Sequence, residues 1–433
     1  MQEKLPKILV ISHTPFAASD SMGSTLASYF GTYDPDKTAQ FYIKNKTPDM
    51  PVCKNYYRVT DNEILKKLFL PFSVKAGKKI DFSKETQNKG SIKEKEVTVS
   101  KKNRAWGLIL RNILWSTKVW YNRDFKRWLK DFSPDIILLQ PGDFSYMFKL
   151  ATRLSKKLNI PLVIHQSEAY YLKPYISRKP LYLIYRYDFK KSFEKAMKQA
   201  SLCIYLCDAL ERDYSKFFDT PSVTIYKSTS ITPKTDKKQF DKNNVKFIYG
   251  GNLGEAVGRC TPLEEIGKAV KEAGFYIDVY TASKGAHMSG LTEENGIRLH
   301  SAVSNDELQK KIQESDFIVH IENQAQSYKT DNKYAFSTKI ADMLASGVCS
   351  IVYGSCEIAG IRYFAENKLA CVVEDKEKLT LKIKELISDD EKRLGYIRRA
   401  CEFAKKNHSG TENSNKTKEM LIDIYNRFGK VSE

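Results

Sequence analysis

Residues 245–259, Val-Lys-Phe-Ile-Tyr-Gly-Gly-Asn-Leu-Gly-Glu-Ala-Val-Gly-Arg, run from a short apolar strand into a turn with glycines at 250, 251, 254 and 258. A glycine-rich turn after a strand lets backbone N–H groups approach phosphate oxygens, and the helix that follows points the positive end of its dipole at them. Arg259 closes the turn and supplies a cation for the same anion. The plain alternative is a tight turn that needs positive φ and nothing more. Against an anion stands Glu255, which would sit close to it.

Further along, residues 336–347, Phe-Ser-Thr-Lys-Ile-Ala-Asp-Met-Leu-Ala-Ser-Gly, lead into the apolar run 350–353. The spacing predicts a helix over Ser337–Ala345 ended by Gly347. Ser337, Thr338 and Lys339 at its start would offer a diphosphate hydroxyls, N–H groups and an ammonium together. Asp342 lies one turn on, where a carboxylate can accept hydrogen bonds from ribose hydroxyls. It would otherwise be an i, i+3 partner of Lys339.

Outward from these turns, strands and helices alternate through the chain. Before residue 231 the runs Lys7–Ser12, Phe41–Lys44, Asp135–Gln140, Pro161–His165, Leu202–Leu206 and Val223–Lys227 read as strands. After it the strands are Val245–Tyr249, Phe275–Tyr280, Ile297–Val303, Phe317–Ile321, Ser350–Tyr353 and Ala370–Glu374. Near-continuous apolar strands separated by amphipathic helices predict parallel sheets covered on both faces. The polar stretch Ile231–Asn244 predicts a linker. With 433 residues, two domains are expected. Their boundaries are read as an N-terminal domain over 1–232 with a basic insertion at about 66–132, a C-terminal domain over 245–408, and a final helix over 409–433 that can cross back to the first domain.

Composition narrows the function classes. A hydrophobic content of 42% is that of a globular chain. The eight cysteines form no CxxC pair, so reduced buried thiols are expected and a zinc site is not. No apolar run reaches the roughly 20 residues that span a bilayer. The opening MQEKLPKILVIS begins a strand and has no signal-peptide layout, which predicts a cytoplasmic protein. The net charge of +19 is uneven: Lys66–Lys130 holds 18 Lys/Arg against five Asp/Glu. Such a field calls for an anionic neighbour, whether nucleic acid, a membrane surface or a phosphorylated substrate.

Residues 104–132 hold all four tryptophans, at 106, 115, 120 and 128, among basic side chains. They read either as a surface helix seated at a membrane interface or as a core helix with a charged outer side. Either way the charge favours a membrane-borne acceptor. Against nucleic acid, the aromatics cluster with apolar residues and are not interleaved along a strand platform. At strand ends of the first half, His13, His165 and Glu168 are candidate acid–base groups, His165 with Glu168 preferred; each histidine can equally be structural.

The sequence resembles the GT-B glycosyltransferases of the family 4, or group 1, type that assembles bacterial polysaccharides. Gly-Asn-Leu-Gly at 251–254, Ser304-Asn-Asp-Glu-Leu, Ser315-Asp-Phe-Ile-Val-His, the 337–347 run and Ile351-Val-Tyr carry the likeness over Val245–Asp375, with Met22-Gly23-Ser24 as a weaker echo. The resemblance implies two Rossmann-like, doubly wound parallel-sheet domains facing each other across a cleft. It implies sugar transfer from a nucleotide sugar to an acceptor hydroxyl with no metal; with the basic charge, a glycan or polyprenyl-diphosphate-linked acceptor and a peripheral place on the inner face of the plasma membrane are expected, with no cofactor. Carried onto this chain, Gly251, Asn252 and Gly254 match the diphosphate-side turn, Lys339 a phosphate neighbour, Asp342 the ribose carboxylate and Gly23 a first-domain glycine facing the donor. The family's first acidic position, eight residues before Asp342, is Tyr334 here. Glu322, at the end of the preceding strand, is the candidate to replace it. A sugar-nucleotide epimerase of the same fold, or a non-catalytic partner subunit, are the competing expectations.

Overall fold

The computed structural model describes residues 4–82, 104–173, 177–233 and 240–432. Residues 83–103 of the basic insertion and 234–239 of the expected linker fall outside them. The chain forms two compact units, Met1–Lys227 with Gly410–Glu433, and Ser228–Ser409.

In the first unit the strands are β1 Ile8–Ser12, β2 Thr38–Tyr42, β3 Asn55–Arg58, β4 Lys78–Ile80, β5 Ile136–Gln140, β6 Leu162–Gln166, β7 Leu202–Tyr205 and β8 Ser222–Thr224. They lie in the order β4-β3-β2-β1-β5-β6-β7-β8, with only the β3–β4 pair antiparallel among them. The span from β3 to β7 is the order of a nucleotide-binding doubly wound sheet, whose direction of winding reverses between β1 and β5. The second unit repeats the plan with β9 Phe247–Gly250, β10 Ile277–Thr281, β11 Ile297–Ser301, β12 Phe317–Ile321, β13 Cys349–Tyr353 and β14 Cys371–Val373. Its sheet is wholly parallel, in the order β11-β10-β9-β12-β13-β14, and reverses between β9 and β12. This is the expected fold class: two Rossmann-like parallel-sheet units.

The strands read as continuous apolar runs because both faces are covered; β1, β5, β6, β12 and β13 are buried at every position. Two short elements were missed. β3 (NYYR) and β4 (KKI) are brief and polar, and β4 is an edge strand with two exposed lysines. The last helix, Gly410–Ser432, belongs to the first unit, where Leu421 and Ile424 join the core formed by β1, β5 and the helix Ser21–Ser28.

The tryptophan-rich stretch is two helices, Arg104–Ser116 and Arg123–Phe132. Trp115, Trp120 and Trp128 are buried against Phe41, Tyr57, Phe125 and Tyr146. That corrects the membrane-inserting alternative for these three: they are core. Trp106, with Leu110 and Ile113, stays exposed along one side of the first of these helices.

Candidate functional site

The carboxyl ends of β9 and β12 bring together what the sequence separates by some sixty residues. From β9 the chain turns through Gly251–Gly258 and enters the helix Cys260–Glu272 at Arg259. Gly258 has φ +58°, in the left-handed region, and a Cβ there would lie 2.4 Å from the Asn323 amide. Asn252 holds the turn: its Oδ1 accepts from the Gly254 N–H and the Ser283 hydroxyl, while His287 bonds the Leu253 carbonyl. His287 thus supports this turn.

Arg259 folds back onto Glu322, the residue that follows β12. The guanidinium donates through Nη2 to Oε1 at 2.6 Å and through Nε to Oε2 at 3.2 Å. Tyr328 donates its hydroxyl to the same carboxylate at 3.0 Å. Glu322 is 3% exposed, so its charge is viable only because it is paired and hydrogen-bonded. Burial opposes the Arg259 charge, but the adjacent carboxylate raises the guanidinium above its ordinary range. Beside them Tyr249 is pushed up to about 12 and His320 down to about 4, both chiefly by burial. Both are therefore neutral near pH 7.

Lys339 reaches this place from a different loop. Its ammonium donates to the Gly250 carbonyl at 2.6 Å, passing over Gly251, where a Cβ would lie 2.8 Å from Nζ. The surrounding protein, and then the Arg259 charge, push Lys339 down to about 8. Ser337 accepts from the Lys339 N–H, and Thr338 is half-buried next to it. The predicted helix starts later than expected, spanning only Ile340–Ala345, with Gly347 at φ +74° after its end. The helix dipole expected at Ser337 is thereby reduced to a turn and a half, and the Lys339 side chain carries the local charge. Asp342 accepts from the Thr229 hydroxyl at 2.6 Å, a partner no sequence pattern announced.

The first unit has the same strand–turn–helix at β1, with a different outcome. Its helix Ser21–Ser28 is capped by Asp20, whose carboxylate accepts from the Met22 and Gly23 N–H groups and faces Lys44 and Lys46. An anion is already built into that helix start, whereas no side chain caps Cys260–Glu272. Gly23 is explained locally, since a Cβ there would meet the Pro15 carbonyl at 2.2 Å.

The structure separates the three acid–base candidates of the first unit. His165 is 1% exposed and bonds the Tyr29 hydroxyl at 3.2 Å; burial pushes it down to about 4. It is a buried, neutral ring. His13 stacks on Phe144 and receives Arg111 on its Nε2 at 3.3 Å. Burial and the Arg111 charge push it down to about 3, so its lone pair is already occupied. Glu168 instead faces solvent, with its carboxyl held above the usual range by the protein around it. The preferred pair of His165 and Glu168 is not brought together: one turns inward and the other outward.

With this geometry in place, comparison with known proteins becomes informative. Residues 264–417 match the family model described as glycosyl transferase-like. No curated protein sequence matches the chain. Among solved structures the chain is similar to HepE of Anabaena in complex with UDP, with a TM-score of 0.61 and 12% identity over 96% of this chain and 99% of that one. It is also similar to a sucrose-phosphate synthase from Thermosynechococcus elongatus, with a TM-score of 0.63, 11% identity and coverage of 97% and 99%. A third likeness is to WaaG, a glycosyltransferase involved in lipopolysaccharide biosynthesis, with a TM-score of 0.53, 13% identity and coverage of 96% and 99%. The chain therefore has the GT-B fold, and the model match lies mostly in its second unit.

Proposed function

We propose that the chain is a glycosyltransferase that moves a sugar from a nucleotide-sugar donor to a hydroxyl of a glycan or polyprenyl-linked acceptor in cell-surface polysaccharide assembly. One observation carries this: Lys339 and Arg259 converge on the glycine-lined turn at the carboxyl ends of β9 and β12, beside a helix start that no side chain caps. That is where a doubly wound sheet binds its nucleotide. The UDP held by HepE is in keeping with a nucleoside diphosphate at such a turn.

In the proposed mechanism the donor diphosphate lies along Gly251–Gly254, with Asn252 shaping the turn and Ser337 and Thr338 at its edge. Asp342, which keeps one oxygen on Thr229, offers the other to the ribose. The bond between the anomeric carbon and the diphosphate breaks with its electron pair on the leaving oxygen. The two side-chain cations neutralise that charge, so no divalent metal or cofactor is invoked. Positive charge at the anomeric carbon is met by the acceptor oxygen, whose proton passes to a base. Glu322 replaces the acidic group absent at Tyr334 by fixing Arg259 in place.

The acceptor side of the proposal rests on charge. The basic excess of Lys66–Lys130 and the exposed Leu68, Phe69, Phe72, Trp106 and Ile113 suit an anionic membrane surface, with the protein peripheral to its inner face.

A thermal-shift screen with UDP-, GDP- and ADP-sugars tests the reading. A donor at about 100 times its Kd stabilises the chain by roughly 2.7 kcal/mol, and Lys339→Ala should remove that shift. If no nucleotide sugar shifts the melting curve, or Lys339→Ala binds as well as the parent, the proposal fails. Release of an epimerised donor without an acceptor would instead make the chain an epimerase.

A further inference from the structure

The first unit holds a cavity of about 200 Å³ between the end of the helix Arg104–Ser116, the turn that follows it, and the helix Ser145–Leu158. Its walls are Trp115, Trp120, Tyr146, Leu150 and Leu154, all buried. Trp115 lies flat on Tyr146, with ring centroids 4.9 Å apart and planes within 14°. The rim is of a different kind. Lys118, Lys149, Arg153 and Lys157 line it, and no Asp or Glu does. Lys149 is paired with Asp188 and Lys157 lies over the Tyr121 ring at 4.7 Å, while Lys118 and Arg153 are exposed at the mouth.

An apolar slot with a cationic mouth suits an anionic amphiphile. At about 200 Å³ the cavity is smaller than the roughly 300–1,000 Å³ that encloses a whole small ligand, so it takes a segment of a chain. We infer that this slot seats the prenyl units next to the diphosphate of a polyprenyl-diphosphate-linked acceptor, with the diphosphate at Lys118 and Arg153. This rests on the reading of the chain as a transferase with a lipid-linked acceptor, and it gives that acceptor a place distinct from the donor turn. The exposed Trp106, Leu110 and Ile113 on the other side of the same helix would meet the bilayer from which such a lipid comes.

Farnesyl phosphate, farnesol and inorganic pyrophosphate serve as soluble probes, followed by the tryptophan emission of the full chain. Farnesyl phosphate should quench it saturably, with farnesol and pyrophosphate each at least tenfold weaker. The Lys118→Glu/Arg153→Glu double variant, altered only at exposed side chains, should weaken farnesyl phosphate at least tenfold. Leu154→Trp, which fills the slot, should abolish binding while leaving the UDP-sugar thermal shift intact. Farnesyl phosphate bound equally by the double variant overturns the assignment. So does a response confined to phosphatidylglycerol vesicles, which would make the slot a general lipid contact. Nucleotide-sugar binding without farnesyl phosphate binding removes this site and spares the donor site. Farnesyl phosphate binding without any nucleotide-sugar shift does the reverse.

Discussion

Arg259 and Lys339 are two cations at one turn, and their surroundings treat them differently. Arg259 is held in place by an ion pair with Glu322, whereas Lys339 bonds a carbonyl and meets Arg259 as a like charge, which helps to hold it near pKa 8. A bound diphosphate favours the ammonium form, so binding should weaken as that proton leaves. UDP affinity is expected to be flat below pH 7 and to fall as pH rises through 8, approaching tenfold per unit above it. Lys339→Arg keeps its charge and should remove the slope; calorimetric titration from pH 6.5 to 9.5 decides, and a flat profile in the parent refutes the role. The ion pair makes a second prediction. Glu322→Ala leaves the Arg259 charge partly buried without its partner and should cost about 3 kcal/mol in urea unfolding, with Arg259→Ala similar. The double variant should recover part of that loss. Single losses below about 1 kcal/mol would mean that the pair is incidental to stability. The partnership was hard to read from the sequence because the residues stand 63 positions apart, and adjacency comes only from β9 lying next to β12.

At the level of elements, the two glycines that end β9 are required for different reasons. A Cβ on Gly250 would press within 3 Å of the Leu308 side chain on the helix Asn305–Glu314; one on Gly251 would press on the Lys339 ammonium and the Tyr249 hydroxyl. Gly250→Ala should therefore lose stability, by about 1 kcal/mol of overpacking, with little change in nucleotide affinity. Gly251→Ala should do the opposite, weakening UDP about tenfold with a melting temperature near that of the parent. Equal effects of the two on both measurements would show that Gly251 makes no special room for Lys339. The turn itself was legible, since a strand followed by spaced glycines has few other uses. Its counterpart after β1 was harder to judge: only the structure shows Asp20 folded onto the helix start, turning a phosphate-like site into a capped one. The helix at Ile340 was misjudged by three residues because Ser337 bonds the Lys339 N–H and holds the chain in a turn first.

For the whole molecule, apolar period and strand length were enough to give two parallel sheets, because buried β-runs leave few alternatives. They could not show which polar residues are swallowed by the packing. His13, His165 and His320 all sit near strand ends, and all are buried neutral, at about 3, 4 and 4. Their ordinary value is about 6.5, so below it the unfolded chain takes up protons that the folded chain refuses. Stability is then complete above about pH 6.5 and is lost as pH falls toward 4, each histidine adding up to about 1.4 kcal/mol per unit. Between pH 6.5 and 5 few carboxylates titrate, so a fall in this window belongs to the histidines. Urea unfolding at half-unit steps should show it, and His165→Asn should flatten the slope by one histidine's share, with the Tyr29 hydroxyl keeping a polar neighbour. A parent protein equally stable at pH 6.5 and 5 would mean that these rings open to solvent before the units unfold, and that their place in the packing is far looser than the 3.2 Å contact between His165 and Tyr29 implies.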